Sequence, residues 1–288
     1  MVGKYCQVGV RHHYLFGKTP GITHADQLAR AAEMVVAAVT GGTAGIGKAI
    51  VEIFLENGAK VAMMARNSEK AEKVISDLGA GDRLIFIKGD ATSQNDVDNF
   101  VDKTAEAFGT LDILVNNAGG AGTDLQPTVS LSDEEFDLCI KWNLYSTFWG
   151  TRRALKIMLE KKWGRIINIS SMEGKHGKPV VTAYTTAKHA INGMTKSVAR
   201  EVGTEGITVN AICPGLIVTD ILKENGPKTA EAMGMTLDEM IDYFTSESAI
   251  KRPNKVEEVA AVALLLASEA GAGITGTQLS VDGGTAQY

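Results

Sequence analysis

From about residue 34 the chain alternates between short apolar runs and longer segments of helical period. Met34 to Val39 is an unbroken, valine-rich run, the pattern of a strand buried on both faces. Comparable runs at Lys60 to Ala65, Arg83 to Lys88, Leu111 to Val115, Arg165 to Ser170, Ile207 to Ile212 and Gln278 to Val281 predict further strands. The segments between them carry helix start and stop signals. One helical pattern ends at Asn57-Gly58. Ser68 to Leu78 has Ser68 as its cap and Gly79 as its stop. Ser93-x-x-Asp96 opens a helix to Phe108-Gly109, and the capping box Ser132-x-x-Glu135 opens a long one to about Lys161. Helices near 184–203 and 256–268 complete the alternation. Strands alternating with helices of this length predict right-handed crossovers and an α/β fold: a doubly wound parallel sheet of about seven strands, with helices on both faces.

Residues 1–33 break the pattern. They hold Lys4, Arg11, His12, His13 and Lys18 but no serine and no seven-residue apolar core, so they read as an amino-terminal arm rather than a targeting peptide. Ala25 to Met34 is expected to form a short helix. Residues 34–288 show no linker or change of composition and read as one domain. The longest apolar run, Val259 to Ala267, is too short to span a bilayer, so no membrane partner is expected. The net charge of −5 and the lack of a dense Lys/Arg block argue against nucleic acid. The three cysteines, Cys6, Cys139 and Cys213, are widely spaced and form no CxxC, which fits a reducing, cytoplasmic compartment and no metal site.

Chemistry concentrates in two places. Thr40-Gly41-Gly42-Thr43-Ala44-Gly45-Ile46-Gly47 follows the first strand and opens a helix. Gly41 permits a tight turn, Gly45 and Gly47 let backbone approach a phosphate, and the helix amino terminus offers N–H groups to an anion. This is the layout of a nucleotide site. The second place is Ser171 to Lys188. Tyr184 and Lys188 are one helical turn apart, and an ammonium near a phenol pulls its pKa toward neutrality. Such a phenol gives or takes a proton at a carbonyl or alcohol oxygen. Ser171 falls at the carboxyl end of a strand, where open α/β sheets bind ligands.

T-G-G-T-A-G-I-G at 40–47, N-N-A-G at 116–119, Asn143, Ser171 thirteen residues before Tyr184-x-x-x-Lys188, and Pro214-Gly215 stand in order. Together they resemble the short-chain dehydrogenase/reductase family over residues 34–288, with members of the 3-oxoacyl reductase and 3-hydroxybutyrate dehydrogenase type among those most similar. The resemblance implies a Rossmann-like fold, a nicotinamide dinucleotide and hydride transfer. It makes Tyr184 the general acid in reduction and the base in oxidation. Lys188 lowers the pKa of Tyr184 and holds the nicotinamide ribose. Ser171, rather than its rival Ser170, orients the substrate oxygen, and Asn143 holds a water linking Lys188 to solvent. For the cofactor it implies Gly41, Thr43, Gly45, Ile46 and Gly47 at the phosphates, Asp90 and Ala91 near the adenine, and Asn117 and Gly119 beside the ribose. Pro214, Gly215, Ile217 and Thr219 hold the carboxamide, and Thr219 also reads as a helix cap.

The second strand ends Ala65-Arg66. No acid stands there to accept a ribose hydroxyl, and Arg66 suits a 2′-phosphate, which favours NADP over NAD, with NAD still possible. The substrate is expected between Met172 to Val181 and a helical lid at about 221–252. A 3-oxoacyl thioester, a 3-keto acid or a cyclic ketone fits, and Lys175, His176 or Lys178 is placed to hold a carboxylate or a carrier phosphate. The alternatives are an NAD-dependent 3-hydroxy acid dehydrogenase and a dinucleotide-binding sensor without turnover. The family also implies a homotetramer.

Overall fold

The computed structural model describes residues 35–286, apart from 123–124, 220–221, 224–225, 228–229 and 232–233. The arm at 1–33 and the helix expected at Ala25 to Met34 lie outside the described residues, as does part of the stretch expected to form the lid.

The strands are β1 (Val36–Thr40), β2 (Lys60–Ala65), β3 (Leu84–Lys88), β4 (Ile113–Asn116), β5 (Gly164–Ile169), β6 (Ile207–Pro214) and β7 (Gln278–Val281). They form one sheet in the order β3-β2-β1-β4-β5-β6-β7, and every neighbouring pair is parallel. The helices include α1 (Gly45–Glu56), α2 (Ser68–Leu78), α3 (Gln94–Phe108), α4 (Asp133–Ile140), α5 (Ser146–Lys161), α6 (Thr182–Val202), α7 (Leu237–Ser246) and α8 (Val256–Ala267). β1, β4, β5 and β6 are buried along their whole length, which is why β1 reads as a continuous apolar run rather than an alternating one.

Alternate strand residues serve two cores. Val39, Val61, Met63 and Val115 pack with Ile50, Phe54, Val259 and Ala263 on the face covered by α1 and α8. Ala38, Ala62, Met64 and Leu114 face Phe100, Met158 and Ala199 from α3, α5 and α6. Each large apolar side chain buried here contributes about 1.5–3 kcal/mol. The chain winds outward from β1 through β2 to β3, then returns to lay β4 on the other side of β1. That reversal opens a crevice between the carboxyl ends of β1 and β4, the place where such sheets take ligands.

Two local expectations change. Asn67, not Ser68, caps α2: its side chain accepts the Lys70 N–H at 2.9 Å, and Ser68 is already helical. The helix opening at Ser132 is not continuous to Lys161. Residues Lys141–Tyr145 form a π turn between α4 and α5, with the Ser146 N–H reaching the Lys141 carbonyl. Asn143 and Ser146 donate to the carbonyls of Cys139 (2.9 Å) and Trp142 (2.6 Å), which helps hold the wider turn. Among the described residues no helix is long and apolar enough to cross a membrane.

Candidate active site

The glycine turn is tied to the end of β4 through Thr40. Its hydroxyl accepts the N–H groups of Asn117 at 2.9 Å and Ala118 at 3.0 Å. The Asn117 amide in turn donates to the carbonyls of Thr40 at 2.8 Å and Gly41 at 3.2 Å. Asn117 thus braces the turn with its amide N–H₂, rather than offering that group to a ribose. Gly41 has φ +67°, and a Cβ on Gly47 would stand 2.2 Å from the Gly41 oxygen, so a side chain at position 47 would displace backbone. Gly45 has φ +52° and faces Thr219, with Thr43 and Ile46 half-buried in the same turn. Ala44 precedes α1 and supplies no side-chain cap, which leaves the first-turn N–H groups for an anion. The residues present therefore fit the diphosphate of a dinucleotide.

At the end of β2, Arg66 is exposed and follows half-buried Ala65, so no carboxylate occupies that position. Asp90 stands near it. Burial works to raise the Asp90 carboxyl, but hydrogen bonds from the Thr92 N–H and hydroxyl, both 2.8 Å, and the charges of Arg66 and Lys141 hold it below the ordinary value. Ala91 is buried beside it. On the other side of the crevice β6 ends in Pro214. The Gly215 N–H bonds the Val281 carbonyl at 3.0 Å, Ile217 is buried, and the Thr219 hydroxyl accepts the Leu222 N–H at 3.4 Å. Thr219 is therefore a cap as well as a neighbour of Gly45.

Ser171, Tyr184, Lys188 and Asn143 are brought to one end of the sheet. Ser171 follows β5, and Tyr184 and Lys188 stand in the first turns of α6. Lys188 is buried; its Nζ donates to the Ile169 carbonyl at 2.9 Å and lies 5.4 Å from the centre of the Tyr184 ring. Asn143 is fully buried and clamps the loop after β4: it accepts the Gly120 N–H at 3.0 Å and donates to the Gly120 carbonyl at 2.9 Å. A Cβ on Gly119 would meet Asn143 Oδ1 at 2.5 Å and Lys188 Nζ at 3.6 Å, so Gly119 keeps that junction open. Ser170 is also buried, but its hydroxyl turns to the Lys188 carbonyl at 3.3 Å, whereas Ser171 lies beside the Tyr184 phenol and donates its own proton to Glu173.

The electrostatics correct one expectation. The Tyr184 phenol is pushed up rather than pulled toward neutrality, first by burial and then by the Glu173 carboxylate; the Ser171 hydrogen bond acts the other way. Burial lowers the pKa of Lys188 itself to about 8. Burial also pushes up the thiols of Cys139 and Cys213.

Two of the side chains expected to greet a substrate carboxylate are already engaged. Lys175 donates to the Ser280 hydroxyl at 2.9 Å. Lys178 pairs with Glu247 at 2.9 Å and sits over the Phe244 ring of α7. The His176 Nε2 is buried without a hydrogen-bond partner among the described residues. The contacts of two residues escaped the sequence reading. Thr40 carries its signal in the hydroxyl that ends β1. The contacts of Glu173 depend on a turn that no local pattern announces.

The family model for short chain dehydrogenase matches residues 35–230. The chain is 38% identical over 259 residues to D-beta-hydroxybutyrate dehydrogenase of Rhizobium meliloti (strain 1021), covering 87% of this chain and 98% of that protein. It is 34% identical to L-2,3-butanediol dehydrogenase of Corynebacterium glutamicum, covering 86% and 97%. Among solved structures, a crystal structure of an actinorhodin polyketide ketoreductase variant with NADPH superimposes with a TM-score of 0.84 at 33% identity, covering 88% of this chain and 98% of that one.

Proposed function

The chain belongs to the short-chain dehydrogenase family, and on that premise we propose that it transfers a hydride between NADP(H) and a secondary alcohol or ketone such as a 3-oxoacyl thioester or a cyclic ketone. Membership makes it an oxidoreductase of secondary alcohols and ketones that uses a nicotinamide dinucleotide. The finer reading takes residues 34–288 as one catalytic domain with a lid at about 221–252.

When bound, the nicotinamide supplies or accepts the hydride at the reacting carbon. The first-turn N–H groups of α1 and the backbone of Gly41, Thr43, Gly45, Ile46 and Gly47 hold the diphosphate. Asp90, Ala91, Asn117 and Gly119 wall the adenosine half, and Pro214, Gly215, Ile217 and Thr219 wall the nicotinamide half. In reduction Tyr184 gives its phenolic proton to the carbonyl oxygen, which becomes the alcohol hydroxyl. In oxidation the phenolate takes that proton back. Ser171 fixes the same oxygen by a hydrogen bond. Lys188, with a pKa near 8, stands ready to return a proton to Tyr184, and Asn143 holds the loop and water path behind it. The observation that carries this reading is the gathering of Ser171, Tyr184, Lys188 and Asn143 beside an uncapped helix amino terminus.

The choice of NADP rests on Arg66 and the missing acid at Ala65, and the ketoreductase solved with NADPH supports it. Titrating the protein with NADPH and with NADH tests it. NADPH should bind at least about ten-fold tighter, and Arg66→Ala should remove most of that advantage. Equal affinity in the unaltered protein would sink the preference. The similarity to a hydroxybutyrate dehydrogenase supports a second reading, an NAD-dependent 3-hydroxy acid dehydrogenase. The engagement of Lys175 and Lys178 weighs against a carboxylate substrate.

A homotetramer and a cytoplasmic setting complete the proposal. Leu138 (57% exposed), Tyr145 (48%), Phe148 (40%) and Leu159 (40%) recur along α4, the π turn and α5, an apolar set suited to a second copy. The free thiols of Cys139 and Cys213 suit a reducing compartment.

A further inference from the structure

Ser171 is not free to serve a substrate in the way a lone hydroxyl would be. Glu173, two residues on, sits in the 3₁₀ turn Met172–Gly174 that folds it back over Ser171. The Ser171 hydroxyl donates to Glu173 Oε2, and the Glu173 N–H donates to Ser171 Oγ at 3.1 Å. A serine has one proton to give. While Glu173 holds it, Ser171 has none for a carbonyl oxygen, and the hydroxyl is left as an acceptor. A substrate oxygen held by Ser171 would stand about two hydrogen-bond lengths, ~5–6 Å, from that carboxylate. The groups around it are Ser171, the Tyr184 phenol, which it destabilises as a phenolate, and the Lys188 amine. Of the lysines in the same loop, Lys175 donates to the Ser280 hydroxyl and Lys178 pairs with Glu247.

We infer that Glu173 is a substrate-binding residue that selects neutral ketones and alcohols carrying a second hydroxyl next to the reacting carbon, and rejects those carrying a carboxylate there. The inference rests on the assignment of Ser171 and Tyr184 as the pair that faces the substrate oxygen, and within that reading it narrows the substrate from a plain cyclic ketone or 3-oxoacyl thioester to a hydroxyl-bearing ketone. A neighbouring hydroxyl donates to the Glu173 carboxylate and takes the place of the Ser171 proton. That proton then turns to the carbonyl oxygen, so every donor and acceptor is satisfied. A substrate without such a donor leaves Glu173 competing for Ser171. One with a carboxylate brings a second negative charge to within a few ångströms of the first in a half-buried site, where repulsion is poorly screened.

The test compares three four-carbon ketones: acetoin, with a hydroxyl on the carbon beside the carbonyl, 2-butanone, with neither group, and acetoacetate, with a carboxylate attached to that carbon in place of the terminal methyl, each reduced with NADPH. The protein should give acetoin a kcat/KM at least about ten-fold above the other two. Glu173→Gln, which keeps the shape and loses the charge, should shrink the acetoin-to-acetoacetate ratio by about ten-fold or more. Glu173→Asp, which keeps the charge on a shorter arm, should still reject acetoacetate while losing part of the acetoin advantage. A general weakening of the fold would lower all three rates together and leave the ratios alone. Turnover with equal kcat/KM for acetoin and acetoacetate, or a ratio unmoved in Glu173→Gln, overturns the role of Glu173 and leaves the reductase reading standing. Absence of turnover with these and every other ketone, despite cofactor binding, sinks both.

Discussion

Lys188→Met isolates the electrostatics of the site. Folding buries the amine and lowers its pKa from 10.5 to about 8. Between those values the unfolded chain binds more protons than the folded one, so this group makes stability rise with pH across the window. At about 1.4 kcal/mol per pH unit, the interval from 8 to 10.5 corresponds to roughly 3 kcal/mol withheld at neutral pH. Cys139, Cys213 and Tyr184 act with the opposite sign. Burial raises each, so the stability they contribute is present below their ordinary values and is lost at higher pH. Those contributions largely cancel when the variant is compared with the parent. The variant also loses the 2.9 Å bond to the Ile169 carbonyl, a cost of about 1–3 kcal/mol that does not change with pH. Urea midpoints measured from about pH 7.5 to about pH 9 should therefore show the stability difference moving in the parent's favour by about 1 kcal/mol. A difference that stays flat would refute the claim that burial penalises the Lys188 ammonium.

Three further outcomes follow from particular contacts. Gly47→Ala places a methyl 2.2 Å from the Gly41 oxygen and 2.4 Å from the Asn117 amide, so dinucleotide affinity by fluorescence titration should fall at least about ten-fold. Gly193→Ala, on α6 with nothing within 4 Å of the added methyl, should instead raise stability in urea by about 0.5–1 kcal/mol. Thr40→Val strands the N–H groups of Asn117 and Ala118 against a methyl, and should cost about 2–4 kcal/mol in the same assay.

Much of this architecture is written in local patterns. β2 begins and ends where its apolar run does, because its interior, Val61 to Met64, is buried and leaves no polar residue inside the run. The Ser132–Glu135 capping box forms as the sequence predicts, since a cap needs only residues three apart. Local signals fail where two neighbours compete or where the partner is distant. Asn67 and Ser68 both suit a cap, and only the backbone path selects Asn67. The π turn at Asn143 leaves the apolar spacing of its flanking helices intact, so periodicity does not reveal it. Lys175 and Lys178 look free because Ser280 and Glu247 are remote in sequence. The upward push on Tyr184 was hidden for a similar reason: spacing shows the nearby lysine, but not the depth of burial or the turn that brings Glu173 over Ser171.

Tyr184→Phe keeps the ring and removes only the proton, so its rate of NADPH oxidation with a ketone tests the account most directly. The unaltered protein should turn over, and the variant should be slower by at least about 100-fold with NADPH affinity within about two-fold of the parent. A variant that keeps the parental rate would contradict proton transfer by Tyr184 and, with it, the proposed mechanism.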